Sequence, residues 1–207
     1  MSGQIDAPGL EGPGLDGPAV SGRERITRAA YELFSRDGTQ LVGIDAVVAR
    51  ARTAKMTLYR NFPSKTDLIL DFLRRREQLW TRDWLQVEAE QRGETPAAQL
   101  LAIFDVFHGW FVRSDFDGCA FLTAMVEFKD PEHPVHVASV EHLSNIRTWI
   151  AQLAADAGIS DCDAFARQWH LLMKGSIMAA HEGDRAAAGR ARDLGVLLLQ
   201  HHGLTLP

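Results

Sequence analysis

A chain of 207 residues, 46% of them hydrophobic, is long enough to bury one large core or two smaller ones. No apolar run reaches the length of a membrane span, no basic-then-hydrophobic start marks a secretory signal, and Cys119 and Cys162 are too few and too far apart for a disulfide framework or a paired zinc-ligand set, which leaves a cytoplasmic, reduced chain as the expectation. The formal net charge of −5 is uneven: residues 1–22 hold three acids and no base, residues 23–65 sum to +5, and residues 66–207 sum to −7, so a small basic module stands on an acidic body, as nucleic-acid binding allows.

Residues 1–22, with six glycines and three prolines and no helical or strand period, read as a disordered tail. From there on the period is helical, and the expected fold class is all-α with about nine helices. Ile26, Ala29, Ala30, Leu33 and Phe34 make one apolar face, and Gly38 suits the position that ends this first helix. A short second helix lines Ile44, Val47, Val48 and Ala51, with Gly43 as its N-cap. A third runs from about Lys55 to Asn61 and stops before Phe62-Pro63, because the residue preceding a proline is pushed out of helical geometry. Ser64 and Asp67 have capping-box spacing and open a fourth helix that continues to about Glu90. Thr95-Pro96 caps a fifth, "AAQLLAIFDVFHGWFVR", apolar on nearly all sides and therefore expected at the centre of the body. The sixth covers roughly residues 118–129, the seventh 134–157 up to Gly158, the eighth 161–181 and the ninth 185–201.

Residues 44–61 spell two short helices joined by the tight turn Arg52-Thr53-Ala54, which is a helix-turn-helix, a unit that lays its second helix in the DNA major groove. With Leu58 and Phe62 inward, Lys55, Met56, Thr57, Tyr59 and Arg60 are left around the outer faces. Lysine and arginine neutralise phosphates, threonine meets a phosphate or a base edge, and tyrosine reaches a phosphate oxygen from a packed ring. Lys65, a cation at the first turn of the fourth helix where the dipole is already positive, is expected to meet a phosphate there.

The stretch from Arg23 to Leu68, above all "KMTLYRNFPSKTDL", resembles the N-terminal domain of the TetR family of bacterial transcriptional regulators. Ala51, Lys55, Thr57, Leu58, Tyr59, Phe62, Ser64 and Lys65 fall in the places of that family's signature. Arg52 stands where the family has a turn glycine, Thr53 where it has an aliphatic residue, and Ala54 where it has a serine N-cap, a loss worth ~1 kcal/mol. The resemblance implies residues 23–68 as a DNA-binding domain using Arg52, Thr53, Lys55, Met56, Thr57, Tyr59, Arg60 and Lys65. It implies residues 69–207 as an effector-binding and dimerisation domain. The implied protein is a homodimer, joined through helices eight and nine, that is released from a palindromic operator by a small apolar or aromatic effector.

The body offers Trp80, Phe104, Phe107, His108, Phe111, Phe121, Met125, Trp149 and Met173 as the lining of such a pocket, with Trp84, Trp110 and Phe128 beside them. His108, in the helix expected to be most buried, reads as a core histidine or a polar anchor for the effector. Gly175, Ser176, Ala179 and Ala180, with Leu194, Leu197 and Leu198, offer a face for close helix approach. No cofactor is called for, and no residues have metal-ligand spacing. An all-helical enzyme is the rival class, but no nucleophile–base pair stands out, and Glu127 and Asp130 read as a solvated helix end. A further alternative is a thiol sensor of oxidants or electrophiles through Cys119, near a helix start where a thiolate is favoured.

Overall fold

The computed structural model of the chain describes residues 21–204, which form an all-α protein: among the described residues there are nine helices and no strand. The expected tail lies outside these residues except for its last two. Ser21 is the N-cap of α1, its hydroxyl accepting from the Glu24 N–H at 3.1 Å, and Gly22 opens the helix. The helices are α1 (Gly22–Asp37), α2 (Ile44–Arg50), α3 (Lys55–Asn61), α4 (residues 65–92), α5 (Pro96–Phe111), α6 (Ala120–Glu127), α7 (Pro134–Asp156), α8 (Cys162–His181) and α9 (Ala187–His201). Within α4, α-helical Lys65–Arg76 and Val87–Arg92 flank a π-helical stretch, Glu77–Gln86.

By its contacts the chain separates into two units. One joins residues 21–79 with Cys119–His142; the other joins Trp80–Gly118 with residues 143–204. The boundary that the resemblance places at residue 68 falls inside α4, whose first turns pack on α1. In the first unit, α1 packs against α2, α3 and α4 around buried Ile26, Phe34, Val47, Leu58 and Phe72. Neither α2 nor α3 exceeds seven residues, too short to persist alone, so burial of Val47 and Leu58 under α1 is what holds them helical. In the second unit, α9 packs on both α5 and α8, and Phe104 of α5, Trp169 of α8 and Gly195 of α9 meet there.

The cap signals in the sequence act as local chemistry requires. Ser64 and Asp67 form both bonds of a capping box, Thr95 caps α5 over Pro96, and Gly38 takes the left-handed φ of 80° that ends α1.

Candidate nucleic-acid interface

The second helix of the helix-turn-helix turns one residue inward and most of the others out. Leu58 is fully buried and Phe62 nearly so, whereas Met56 is 65% and Tyr59 43% exposed, with Lys55 and Arg60 exposed beside them. An exposed methionine and tyrosine flanked by two cations make an outward face among the described residues. Thr57 departs from the expectation. It is half-buried, and its methyl lies so near Gly22 that a β-carbon there would stand 2.8 Å from it, so it packs α3 onto the start of α1. Thr57 lies on the same helix side as Asn61, four residues on, whose amide donates to the Thr57 carbonyl at 2.8 Å.

Arg52 takes φ 47° in the turn, the left-handed region that a glycine occupies freely, and points its side chain to solvent. Its carbonyl accepts from the Arg25 guanidinium at 3.3 Å, which fixes the turn against α1. Thr53 is half-buried behind it. Ala54 has extended geometry at the N-cap of α3 and supplies no side-chain bond.

Much of the basic surplus holds the unit together. Arg23 pairs with Asp71 at 3.0 Å and lies over the Phe62 ring at 4.5 Å. Arg28 pairs with Glu24, Arg36 with Asp37, and Arg50 with Glu32. Lys55 is held by Asp45 at 2.8 Å, a bond that raises its amine above the usual lysine range. Arg52 and Arg60 are left as exposed cations that make no ion pair among the described residues.

Lys65 is also engaged within the fold. Its amine is half-buried and donates to the Gln40 carbonyl at 2.9 Å, and burial holds it below the usual lysine range, opposed by the charge of Glu127. The N-terminus of α4 is meanwhile closed by Asp67, which accepts from the Ser64 N–H at 3.0 Å. Glu127, read as part of a solvated helix end, is half-buried instead. At the end of α6 its carboxylate accepts from the Thr39 N–H at 3.0 Å, the Thr39 hydroxyl and the Gln40 N–H at 3.3 Å, while the Gln40 amide donates to its carbonyl at 2.6 Å. The α1–α2 turn is thus held from one side by α6 and from the other by the head of α4.

Two family models match this chain: "Bacterial regulatory proteins, tetR family" over residues 26–72 and "Tetracyclin repressor-like, C-terminal domain" over residues 96–194. The chain belongs to the TetR family. Members of the family are DNA-binding transcriptional regulators and not enzymes, which disposes of the enzyme alternative. The HTH-type transcriptional regulator YjdC of Escherichia coli K12 is 24% identical over 158 residues, 75% of this chain and 81% of that one. A TetR-type regulator from Streptomyces avermitilis superposes with a TM-score of 0.81 at 28% identity, covering 90% of this chain and 100% of its own. A TetR-family transcriptional regulator from Streptomyces coelicolor gives 0.79 at 28%, covering 88% and 96%.

In this TetR-family chain the residues expected to line an effector pocket divide between the two units. Trp80, Phe104, Phe107, Phe111 and Met173 are buried and Trp149 half-buried in one unit, whereas Phe121 and Met125 belong to the other. His108 is exposed, not a core histidine: Asp105 and His108 form a narrow outward stripe on α5, continued by Val112 at its C-cap, while most of the helix from Leu100 on is buried. Around Trp110 the chain gathers Trp80 at 5.2 Å, Phe107 at 5.7 Å, Phe111 at 5.7 Å and Phe116 at 4.9 Å between ring centroids. Phe116 carried no sequence signal beyond its ring.

On the same unit, α8 and α9 expose Leu171, Met178, Leu194 and Leu197 at 52–63% each, around an apolar groove of about 210 Å³ that includes Gly175 and Ala179. No described helix is long and apolar enough to cross a membrane.

Proposed function

We propose that the protein is a cytoplasmic, homodimeric repressor that two copies form by joining the apolar faces of α8 and α9. Each copy presents α3 to one half of a palindromic operator, and a small apolar or aromatic effector bound in the body releases the DNA. The observation that carries this reading is the outward face of α3, where Met56 and Tyr59 are exposed between Lys55 and Arg60 while Leu58 is fixed inside. Lys55 and Arg60 fit phosphates and base edges, and Arg52, whose side chain leaves the turn unpaired, fits the backbone flanking the groove. Thr53 supports that turn from behind. Lys65 spends one N–H on the Gln40 carbonyl and keeps two donors for a phosphate beside the N-terminus of α4.

Four exposed apolar side chains on two neighbouring helices support the dimer, since a contiguous patch of this kind on a water-soluble surface is a mark of association. Two α3 helices of a symmetric dimer must stand about one helical turn of DNA apart, roughly 34 Å, so a small change in their separation prevents simultaneous docking. The grip of Glu127 on the α1–α2 turn supports α6 as the element through which a change in the body moves the reading head.

The test is binding of fluorescently labelled genomic DNA fragments followed by anisotropy across a salt series, alongside sedimentation of the free protein. Arg60→Ala is expected to lower the magnitude of the log–log salt slope by about one and to weaken binding several-fold. Leu194→Glu with Leu197→Glu is expected to give a folded monomer that loses tight operator binding. An Arg60→Ala protein with wild-type affinity and slope would remove α3 from the interface.

A further inference from the structure

The aromatic cluster of α4 and α5 lies wholly within one unit and concentrates buried donors. The indole N–H groups of Trp84 and Trp110 are both buried with no hydrogen-bond partner, in side chains only 5% exposed whose rings stand 6.3 Å apart. Indole nitrogen is a donor only, and buried donors in folded proteins are nearly always paired, because an unpaired one gives up its water for nothing. Two in one cluster mark a place where an acceptor belongs. Trp80 stands 5.0 Å from Trp84 and 5.2 Å from Trp110, so the two donors sit in a group of three indoles closed by Phe107 and Phe116. Trp80 and Trp84 are carried by the π-helical stretch of α4, a geometry frequent at functional sites.

We infer that this cluster is a ligand site for a planar, uncharged, fused-ring compound bearing a carbonyl-type acceptor. This rests on the reading of the body as an effector sensor and gives that effector a chemical class. A flat ring exchanges ring–ring contacts for ring–ring contacts of the same kind, and its carbonyl supplies the acceptor that Trp84 or Trp110 lacks. A cationic ligand would find aromatic faces but bring donors where acceptors are needed. A carboxylate would be buried without a counter-ion, since the nearby Arg113 guanidinium is already paired with Asp115 at 2.7 Å.

The experiment uses the full chain and two probes of matched shape, 2-acetylnaphthalene and 2-isopropylnaphthalene, which differ in the acceptor alone. Binding is read by tryptophan fluorescence and by calorimetry. The acetyl compound is expected to bind at least about tenfold more tightly, and Trp84→Phe or Trp110→Phe is expected to cut that preference to about twofold or less with the isopropyl compound little changed. Equal affinity of the two probes, a preference that survives in both variants, or binding of neither up to their solubility would each overturn the assignment. The comparison of probes on the unsubstituted chain stands even where a variant fails to fold. Operator affinity measured with the acetyl probe present separates the two claims. A ligand bound with the expected preference that leaves DNA affinity unchanged keeps the site and removes the effector reading.

Discussion

At the scale of single residues, the binding face is shaped by which charges are already engaged. Asp45 is 83% exposed and holds Lys55, so it withdraws one cation from any phosphate and adds repulsion beside it. Replacing Asp45 with Asn should therefore tighten DNA binding a few-fold for all sequences and steepen the salt slope by up to about one, as anisotropy in a salt series would show. An unchanged slope would mean that Lys55 faces away from the backbone. His170 gives a prediction about pH. It is buried on α8 with an unpartnered Nδ1, and desolvation, helped by Lys174 and Arg147, pushes its imidazole down to about 3. The unfolded chain takes up this proton near pH 6.5 and the folded one does not, so stability is full above that value and falls as the pH drops from there toward 3. Thermal or denaturant melts between pH 6 and 5 should show a loss approaching ~1 kcal/mol that His170→Met abolishes. An equal pH response in both proteins would refute a buried neutral histidine. Some of this detail was legible in the sequence and some was not. Leu58 and Phe62 announced themselves as anchors by helical spacing, and with them the outward Met56, Tyr59 and Arg60. Glu127 did not, because its partners at Thr39 and Gln40 lie nearly ninety residues away and nothing local to α6 encodes them.

At the scale of elements, the turn of the helix-turn-helix stores strain that the sequence departures foretold. Arg52 occupies left-handed space at a cost of about 1–2 kcal/mol relative to glycine, and Ala54 leaves the first turn of α3 without a side-chain cap. Arg52→Gly should recover part of that cost, less the added freedom of the unfolded chain, and Ala54→Ser should add ~1 kcal/mol. Denaturant midpoints check both, and a destabilised Ala54→Ser would mean that position 54 is not the N-cap. In α9 two glycines should respond in opposite ways. A β-carbon on Gly195 would stand 2.8 Å from the fully buried Trp169 ring and 3.3 Å from Phe104, while one on Gly189 would meet nothing within 4 Å. The ~1 kcal/mol gained in helix propensity is outweighed by overpacking of about 1–3 kcal/mol at the first site and unopposed at the second, so Gly195→Ala should lower the melting midpoint and Gly189→Ala should raise it. Sequence periodicity placed all nine helices but could not see the π-helical stretch of α4, which the four large apolar residues Leu79, Trp80, Trp84 and Leu85 do not distinguish from an ordinary turn pattern. It also read α5 as apolar all round, since one stripe of Asp105, His108 and Val112 is too narrow to show in a hydrophobic count.

At the scale of the molecule, the uneven charge noted in the sequence resolves into a division of labour. Most of the basic residues near the start brace α1, α3 and α4, and a few, chiefly Arg52, Lys55 and Arg60, are left on the outer face. Among the described residues the exposed leucine and methionine face of α8 and α9 is left uncovered and the buried N–H groups of Trp84 and Trp110 have no acceptor, and we assign the first to a second copy and the second to a ligand. Reading of DNA by a symmetric pair of α3 helices is what these assignments depend on. Repeated selection of bound sequences from a random duplex library tests it without a known operator. An inverted repeat should be enriched, with half-site centres one helical turn or a multiple of it apart, and the enrichment should be lost when Leu194 and Leu197 are both replaced by Glu. Enrichment of a single unrepeated site, or of no sequence at all, would contradict a symmetric pair of reading helices.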